Sequence, residues 1–531
     1  VSPLPAHFRR PLGRATIGDQ LRRHARTQPH KTAFVTYSAT GQREETSYAA
    51  LDRLANRFAH GLTRRDVGRG DRVAVMAANR LDVVVAYYGA LKVGAAFTGI
   101  NPRYREAEVL QQLRHAEPAL VVADAAAAPI IDGVGDQLSR PTVFVALDDG
   151  STPAGWERFT DVLAGPDDTE PEVDVDEEDL ALIVYTSGTE AEPKGVMIPH
   201  RNYLISTAPA WSWGLRTGPD DTWLFVMPFH TIAGIGSMTT LTLMGATLVL
   251  PATTESGQSL EIITREKVTV IAQTPTFYLA LAAHEAFGSG AVGTVKRCLT
   301  YGGQVAPAAV DAWAEAAPEA MWGTYWGQSE LSQLGSIGWF QTLADIPDQD
   351  PTWVGRPVTH LEVRVVGADG EDADIGELWC RSPSVMAGYF KDPERTRQTL
   401  GDGWVHTGDM MRTDASGNLF FYDRIKDMVK SGGMNVSSQE VERVLQGHPD
   451  VLRAAVVGRP DPYWSEVVTA FVIPRPGRVP EPAALIAHCR VELAGYKAPK
   501  AVYIVEALPV DPQGKVLKRQ LRAQPPDPVP D

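Results

Sequence analysis

From about Leu21 to Leu250 the chain alternates between helical and strand-like hydrophobic patterns. In YAALDRLANRFAHGLTRR, beginning at Tyr48, apolar residues recur at helical spacing and predict an amphipathic helix. The short apolar run within DRVAVMAAN, from Asp71, predicts a buried strand. VVVAYYGALKVGAA and REAEVLQQLRHA, from Val83 and Arg105, read as helices, and ALVVAD, from Ala119, as a strand. Such alternation predicts parallel sheets covered by helices. The acidic, Pro- and Gly-rich stretch from Asp148 to Asp179 reads as a surface connection within a domain.

One uncharged run, Ala233 to Thr254, is long enough to cross a membrane but rich in Thr, Ser and Gly. Gly245 divides it into a helical half and a strand half, so a buried helix followed by a strand is expected instead of a span. After Asp350 the short strands EVRVVG, GELWCRS and NLFFYD are separated by turn residues, which suggests a small antiparallel or barrel-like unit. From Asp423 the pattern becomes a turn, a helix beginning near Ser438, and a strand at Ala454 to Val457. A second helix in ALIAHCRVEL and a closing strand in AVYIVEAL complete a compact α+β domain. The proline-rich tail, residues 523–531, is predicted to stay unpacked. No internal repeat is present.

Composition narrows the class. A chain of 531 residues exceeds one compact core, so two or more domains are expected. Hydrophobic content of 44% and charged content of 22% describe an ordinary globular protein. A net charge of -15 argues against nucleic acid or an anionic membrane as the main partner. Cys298, Cys380 and Cys489 lie far apart, make neither a disulfide framework nor a zinc site, and suit a reducing cytoplasm. The N-terminal stretch has no apolar core of the kind a secretory signal needs.

The candidate chemistry starts in LALIVYTSGTEAEPKGVMIPH, Leu180 to His200. A strand-like run empties into small hydroxyl residues and glycine, with Lys194 following, which suggests a phosphate-wrapping loop. The spacing is not that of a Walker loop, and neither a GxSxG elbow nor an HExxH helix occurs. Further along come YGGQVAP (from Tyr301), YWGQSE (from Tyr325), HTGD (from His406), DRIKD (from Asp423) and PQGKVLKRQLR (from Pro512). Together and in this order they closely resemble the ANL adenylate-forming superfamily, in its acyl-CoA synthetase branch. The resemblance runs over nearly the whole chain, from TSYAALDRLANRFA to LKRQLR.

The resemblance implies an α/β fold. It has a large N-terminal domain, residues 1–424, of two helix-covered sheet subdomains and a small β-barrel. A small mobile α+β domain, residues 425–531, follows. It implies an ATP-dependent ligase that joins a carboxylate to AMP, expels pyrophosphate, and then forms a CoA thioester. ATP would be held by Thr186, Ser187, Gly188, Thr189 and Lys194, by Gly302, Gly303 and Gln304, by Tyr325, Trp326, Gly327, Gln328 and Ser329, and by Asp409 and Arg424. Trp326, where the family usually has Tyr, would offer its face to adenine, and Asp409 would accept from the ribose hydroxyls. Glu330 matches the magnesium ligand; one carboxylate plus phosphate oxygens suits Mg²⁺.

Lys515 matches the catalytic lysine, Lys426 the hinge, Gly432 and Gly433 the loop that passes CoA, and His230 the acyl tunnel. Lys518 and Arg519 are expected to face solvent. The usual loop is TSGTTGxPKG, so Glu190 and Ala191 are departures, and Glu190 and Glu192 are expected to point to solvent. The partners implied are an apolar carboxylic acid (fatty, aromatic or polycyclic), ATP and CoA. The same ATP motifs serve acyl-AMP ligases that load a carrier protein, and an acceptor assay separates the two. A non-catalytic adenylate-binding paralogue is disfavoured by Lys515, Glu330 and Asp409 occurring together.

Overall fold

The structure is a computed structural model that describes residues 15–148, 152–186, 194–300, 306–431, 434–461, 463–510 and 516–523. The amphipathic run from Tyr48 forms the helix Tyr48–Thr63, opened by Ser47, whose side chain accepts from the Ala50 N–H. Its stripe of Leu51, Ala55, Phe58 and Leu62 is fully buried and packs on the helix Leu81–Lys92. The two meet at Gly89, where a Cβ would lie 2.7 Å from the Phe58 ring and 2.9 Å from the Ala55 carbonyl oxygen. A larger residue there would force the helices apart.

Helix Leu81–Lys92 is apolar nearly all round, as a helix covered on every side must be. It ends in Lys92, whose Nζ lies 2.8 Å from Asp52 and 2.5 Å from Glu170 with the side chain 1% exposed. A buried ammonium persists only with such partners. Glu170 comes from the acidic stretch expected to be a mere surface connection. That expectation needs correction: the described part also supplies an edge strand, Glu157–Arg158, and a short helix, Phe159–Val162, with both end residues buried.

The chain divides into two compact units: Val1–Glu362 with Arg381–Val405, and Val363–Cys380 with His406–Asp531. The first holds an eight-stranded sheet in the order Gly388–Tyr389, Lys194–Pro199, Leu180–Thr186, Ala96–Gly99, Arg72–Met76, Leu120–Ala123, Val143–Ala146, Glu157–Arg158. Its strands are parallel from Leu180–Thr186 onward, and the first two are antiparallel. A second run of strands reads Trp353–Pro357, Ser336–Phe340, Met321–Trp326, Arg297–Thr300, Val270–Gln273, Thr222–Leu224, Thr247–Leu250, Thr32–Tyr37, Arg43–Ser47. Here the strands from Met321–Trp326 to Thr32–Tyr37 are parallel.

The uncharged run splits as expected into helix Ser237–Leu243 and strand Thr247–Leu250, with Gly245 at φ +75° between them. Its buried threonines are satisfied inside the protein: Thr239 and Thr242 bond the Tyr87 and Tyr88 hydroxyls at 2.6 and 2.5 Å. Among the described residues no helix is long and apolar enough to cross a membrane.

In the second unit the strands Glu362–Val366, Ile375–Arg381, Val405–Thr413 and Leu419–Arg424 are neighbours in that order. Beyond them lies a five-stranded sheet in which Val451–Asp461 and Ser465–Pro474 form a long antiparallel pair. Alternation along Val451–Asp461 sends Val456 toward a core with Val441, Leu445 and Leu485, from helices Ser438–Gln446 and Pro482–Glu492. Ala455 and Val457 face Leu521 of helix Lys518–Ala523 on the other side. Lys518, expected in solvent, is instead 13% exposed, its Nζ 2.8 Å from Glu442 Oε1. The Glu442 carboxylate sits in the helix that its own sheet covers, and an uncompensated charge there would be costly. Arg519 is exposed, as expected.

Candidate functional site

Ligands of open parallel sheets gather beyond the carboxyl ends of the strands. Four segments of the first unit follow such ends: Thr186 closes one strand, Met227 to His230 follow Thr222–Leu224, the glycine segment follows Arg297–Thr300, and Gly327 to Glu330 follow Met321–Trp326. Thr186 and Lys194 stand opposite each other in the antiparallel pair that frames the intervening loop. Lys194 Nζ lies 5.8 Å from the centre of the Tyr389 ring. The Tyr389 hydroxyl donates to Glu330 Oε1 at 2.7 Å, and the Met386 N–H donates to the Glu330 carbonyl oxygen at 2.8 Å. Burial and the facing carboxylate hold the Tyr389 phenol well above its usual range, so it remains a donor.

Tyr389 was not singled out from the sequence. It sits in a two-residue edge strand paired to Lys194–Pro199, a contact that no local pattern announces. Glu330 occupies a single 3₁₀ turn, Ser329–Leu331, and is half-buried. Among the described residues no group of three or more His, Cys, Asp or Glu could hold a metal. A divalent ion at Glu330 would therefore draw its other ligands from phosphate and water, as Mg²⁺ readily does.

Tyr325 and Trp326 end the strand Met321–Trp326, paired with Ile337 and Ser336. Trp326 is only 7% exposed, its ring closing over Gly335, where a Cβ would lie 2.4 Å from Cζ3. Gln328 is half-buried and Ser329 buried. Gly327 cannot be replaced without moving backbone, because a Cβ would stand 1.6 Å from the Gln333 carbonyl oxygen.

His230 packs on the end of strand Ala96–Gly99, where a Cβ on Gly99 would lie 2.5 Å from the His230 Cα. Asn79 clamps the segment: its amide donates to the Met227 carbonyl oxygen at 2.7 Å and its Oδ1 accepts from the Phe229 N–H at 2.9 Å. Burial, then the charge of Arg103, pulls the His230 imidazole from 6.5 down to about 4. Between those values the unfolded chain binds a proton that the folded site refuses, so stability falls as pH falls. Acidification from about pH 7 to about pH 5 should cost about 2 kcal/mol through this ring. In His230→Gln the decline of the unfolding midpoint with pH over that window should flatten, and an unchanged slope would mean the imidazole titrates normally.

In the second unit Asp409 and Arg424 are cross-strand partners, with Arg424 Nε 3.2 Å from Asp409 Oδ1. The Asp409 side chain is 2% exposed and that of Arg424 34%. Glu377, also missed from the sequence, fixes the turn before Asp409. One oxygen accepts from the Gly408 N–H and the other from the Trp379 indole N–H, both at 2.9 Å. Gly408 has φ +68°, a conformation that suits glycine. Trp379 stacks on His406 with centroids 4.1 Å apart.

Lys426 lies in the 3₁₀ turn Ile425–Asp427, whose Lys426 carbonyl oxygen and Asp427 carboxylate accept from Arg522 Nη2 at 3.0 and 2.9 Å. Asp423, just before it, caps helix Ser438–Gln446 by accepting from the Ser438 N–H at 2.6 Å. Ser187, Gly188, Thr189, Glu190, Ala191 and Glu192 lie outside the described residues, as do Gly302, Gly303, Gln304, Gly432, Gly433, Lys515 and the tail from residue 524.

The family model for the AMP-binding enzyme matches residues 21–390, and that for the AMP-binding enzyme C-terminal domain residues 440–515. Feruloyl-CoA synthase of an Amycolatopsis species is 32% identical over 521 residues, covering 94% of this chain and 97% of that protein. Long-chain-fatty-acid–CoA ligase FadD13 of Mycobacterium tuberculosis is 30% identical over 510 residues, 96% and 98% of the two chains. The ATP-bound crystal structure of MatB from Rhodopseudomonas palustris, 27% identical, superposes with a TM-score of 0.85 over 96% of this chain and 99% of that one. Fold and motifs thus define an adenylate-forming ligase. The chain belongs to the AMP-binding enzyme family, within the ANL superfamily, and is an acyl-CoA synthetase working through an acyl-adenylate.

Proposed function

We propose that the chain activates an apolar carboxylic acid with ATP and transfers the acyl group to the thiol of CoA. The observation that carries this reading is the run Thr186–Lys194–Tyr389–Glu330, which sets a cation and a carboxylate at the rim of one loop. Two anions, the carboxylate and the triphosphate, must approach each other, so fixed donors and cations have to absorb charge. Lys194 and the Thr186 end of the loop would hold the leaving phosphates, and Glu330, oriented by Tyr389, would hold Mg²⁺. That ion would supply charge neutralisation on the phosphate oxygens. Asp409 would accept from the ribose and Arg424 would face the phosphates. The apolar segments around Phe225, Phe229, Ile235 and Met238, all buried, suit a hydrophobic acid. A fatty or an aromatic acid is consistent with what the relatives' names state of those proteins. The three buried, unpaired cysteines agree with a reducing cytoplasm.

Mass detection of thioester from a panel of fatty, aromatic and polycyclic acids with ATP and CoA tests the reading. Acyl-AMP without thioester, followed by loading of a carrier protein, would replace CoA as the acceptor. The second half-reaction would follow rotation of residues 425–531 about Lys426, a hinge-type change that withdraws Lys515. Lys426→Pro fixes φ at the pivot, so it should slow thioester formation about tenfold or more and pyrophosphate exchange far less. Equal effects on both half-reactions would remove Lys426 from that role.

A further inference from the structure

The turn that carries Asp409 is held by a carboxylate on the neighbouring strand, outside the motif that marks the turn. Side chains two apart on a strand share a face. Glu377 and Trp379 therefore stand together on Ile375–Arg381, and His406 and Gly408 meet them from Val405–Thr413, the next strand of the sheet. Contacts join the four into one frame. Glu377 accepts from the Gly408 N–H and from the Trp379 indole N–H, each at 2.9 Å. The Trp379 ring lies on His406 with the two planes 12° apart.

Gly408 is where this strand leaves extended backbone. A Cβ there would meet nothing within 4 Å, so its φ of +68°, not crowding, asks for glycine. The Gly408 N–H ends on a charged acceptor, and such a bond is about twice as strong as a neutral one. The next residue is tied as well. The Asp409 N–H donates to Thr407 Oγ1 at 3.1 Å, and that hydroxyl donates to the Leu378 carbonyl oxygen at 2.6 Å. Both backbone amides leading into Asp409 are thus fixed from strand Ile375–Arg381, one by a side chain and one through a hydroxyl. The Asp409 side chain itself is 2% exposed and meets Arg424 at 3.2 Å, so its direction follows the backbone on which it stands.

We infer that Glu377 is a positioning residue for nucleotide selection. By holding the Gly408 N–H it aims the Asp409 carboxylate, and so sets how strongly the site distinguishes a ribose from a deoxyribose. The inference rests on the reading of Asp409 as the ribose acceptor. A carboxylate accepts from two neighbouring hydroxyls only when its oxygens face both, because hydrogen bonds weaken steeply with misalignment. Glu377 touches no substrate in this role and acts through Gly408 alone. Its loss therefore costs selectivity at the sugar.

The test compares dissociation constants of ATP, 2′-deoxyATP and 3′-deoxyATP with magnesium, measured by titration calorimetry on the full chain. The native protein should bind ATP about tenfold or more tightly than at least one deoxynucleotide, because a site built to bond a hydroxyl rejects its absence. Glu377→Gln keeps the side chain's size but turns an amide donor toward one of the two N–H groups. It should bring that ratio to within about threefold. Glu377→Ala should do the same, and unfolding midpoints show which variants fold. A supporting role alone would weaken all three nucleotides alike, so a ratio unchanged in either folded variant overturns the inference. A native protein that binds ATP no better than either deoxynucleotide overturns the ribose reading of Asp409. One that binds no ATP overturns the ligase reading itself.

Discussion

Replacing Lys515 with alanine should slow acyl-adenylate formation by about 10²- to 10³-fold, the usual cost of losing a positioned charge at a developing anion. The carboxylate attacks an α-phosphate that already carries negative charge, and a cation bridging the two lowers that barrier only if held between them. Thioester formation from preformed acyl-adenylate should stay within about twofold of the native rate. In that step the domain bearing Lys515 would have turned away. Pyrophosphate exchange measures the first half-reaction, and single-turnover conversion of synthetic acyl-AMP measures the second. Equal losses in both would show that Lys515 supports the fold or CoA binding, not the adenylation chemistry.

Gly327→Ala should be nearly as damaging, for a steric reason. The new methyl would stand 1.6 Å from the Gln333 carbonyl oxygen and 2.7 Å from its carbon. Those are backbone atoms, tied by the Gln333 N–H to the Gln328 carbonyl oxygen at 3.0 Å and by the Gly335 N–H to that of Trp326 at 2.9 Å. No rotamer can relieve the clash, so the turn carrying Glu330 has to move. Overpacking of this kind costs about 1–3 kcal/mol, and misplacing a catalytic group by an ångström costs about 10²-fold in rate. Unfolding by denaturant and pyrophosphate exchange should both register the change. Native stability together with native exchange would mean the turn is far more compliant than its hydrogen bonds indicate.

Much of the secondary structure was legible because the pattern was strongly periodic. The helices at Tyr48, Leu81 and Glu106 and the strands at Arg72 and Leu120 lie where apolar spacing puts them. The division of the uncharged run at Gly245 was legible too, since a glycine at positive φ is a local property. The acidic connection was misjudged because one of its residues, Glu170, matters through Lys92 and Arg22, residues far away in the chain. Lys518 was misjudged likewise: a lysine in a basic run reads as solvated until Glu442 faces it.

The same division holds at the candidate site. The motif order along the chain was enough to carry the resemblance to adenylate-forming enzymes, because each motif is a short local run of residues. The residues that orient those groups were silent in the sequence. Tyr389 on Glu330, Glu377 on Gly408 and Asn79 on Phe229 are ordinary residues in ordinary strands and turns, made relevant by pairing across long separations. Local chemistry is written in neighbouring residues and can be read there. Desolvation and close approach exist only once distant segments exclude water together, so the tertiary structure alone decided them.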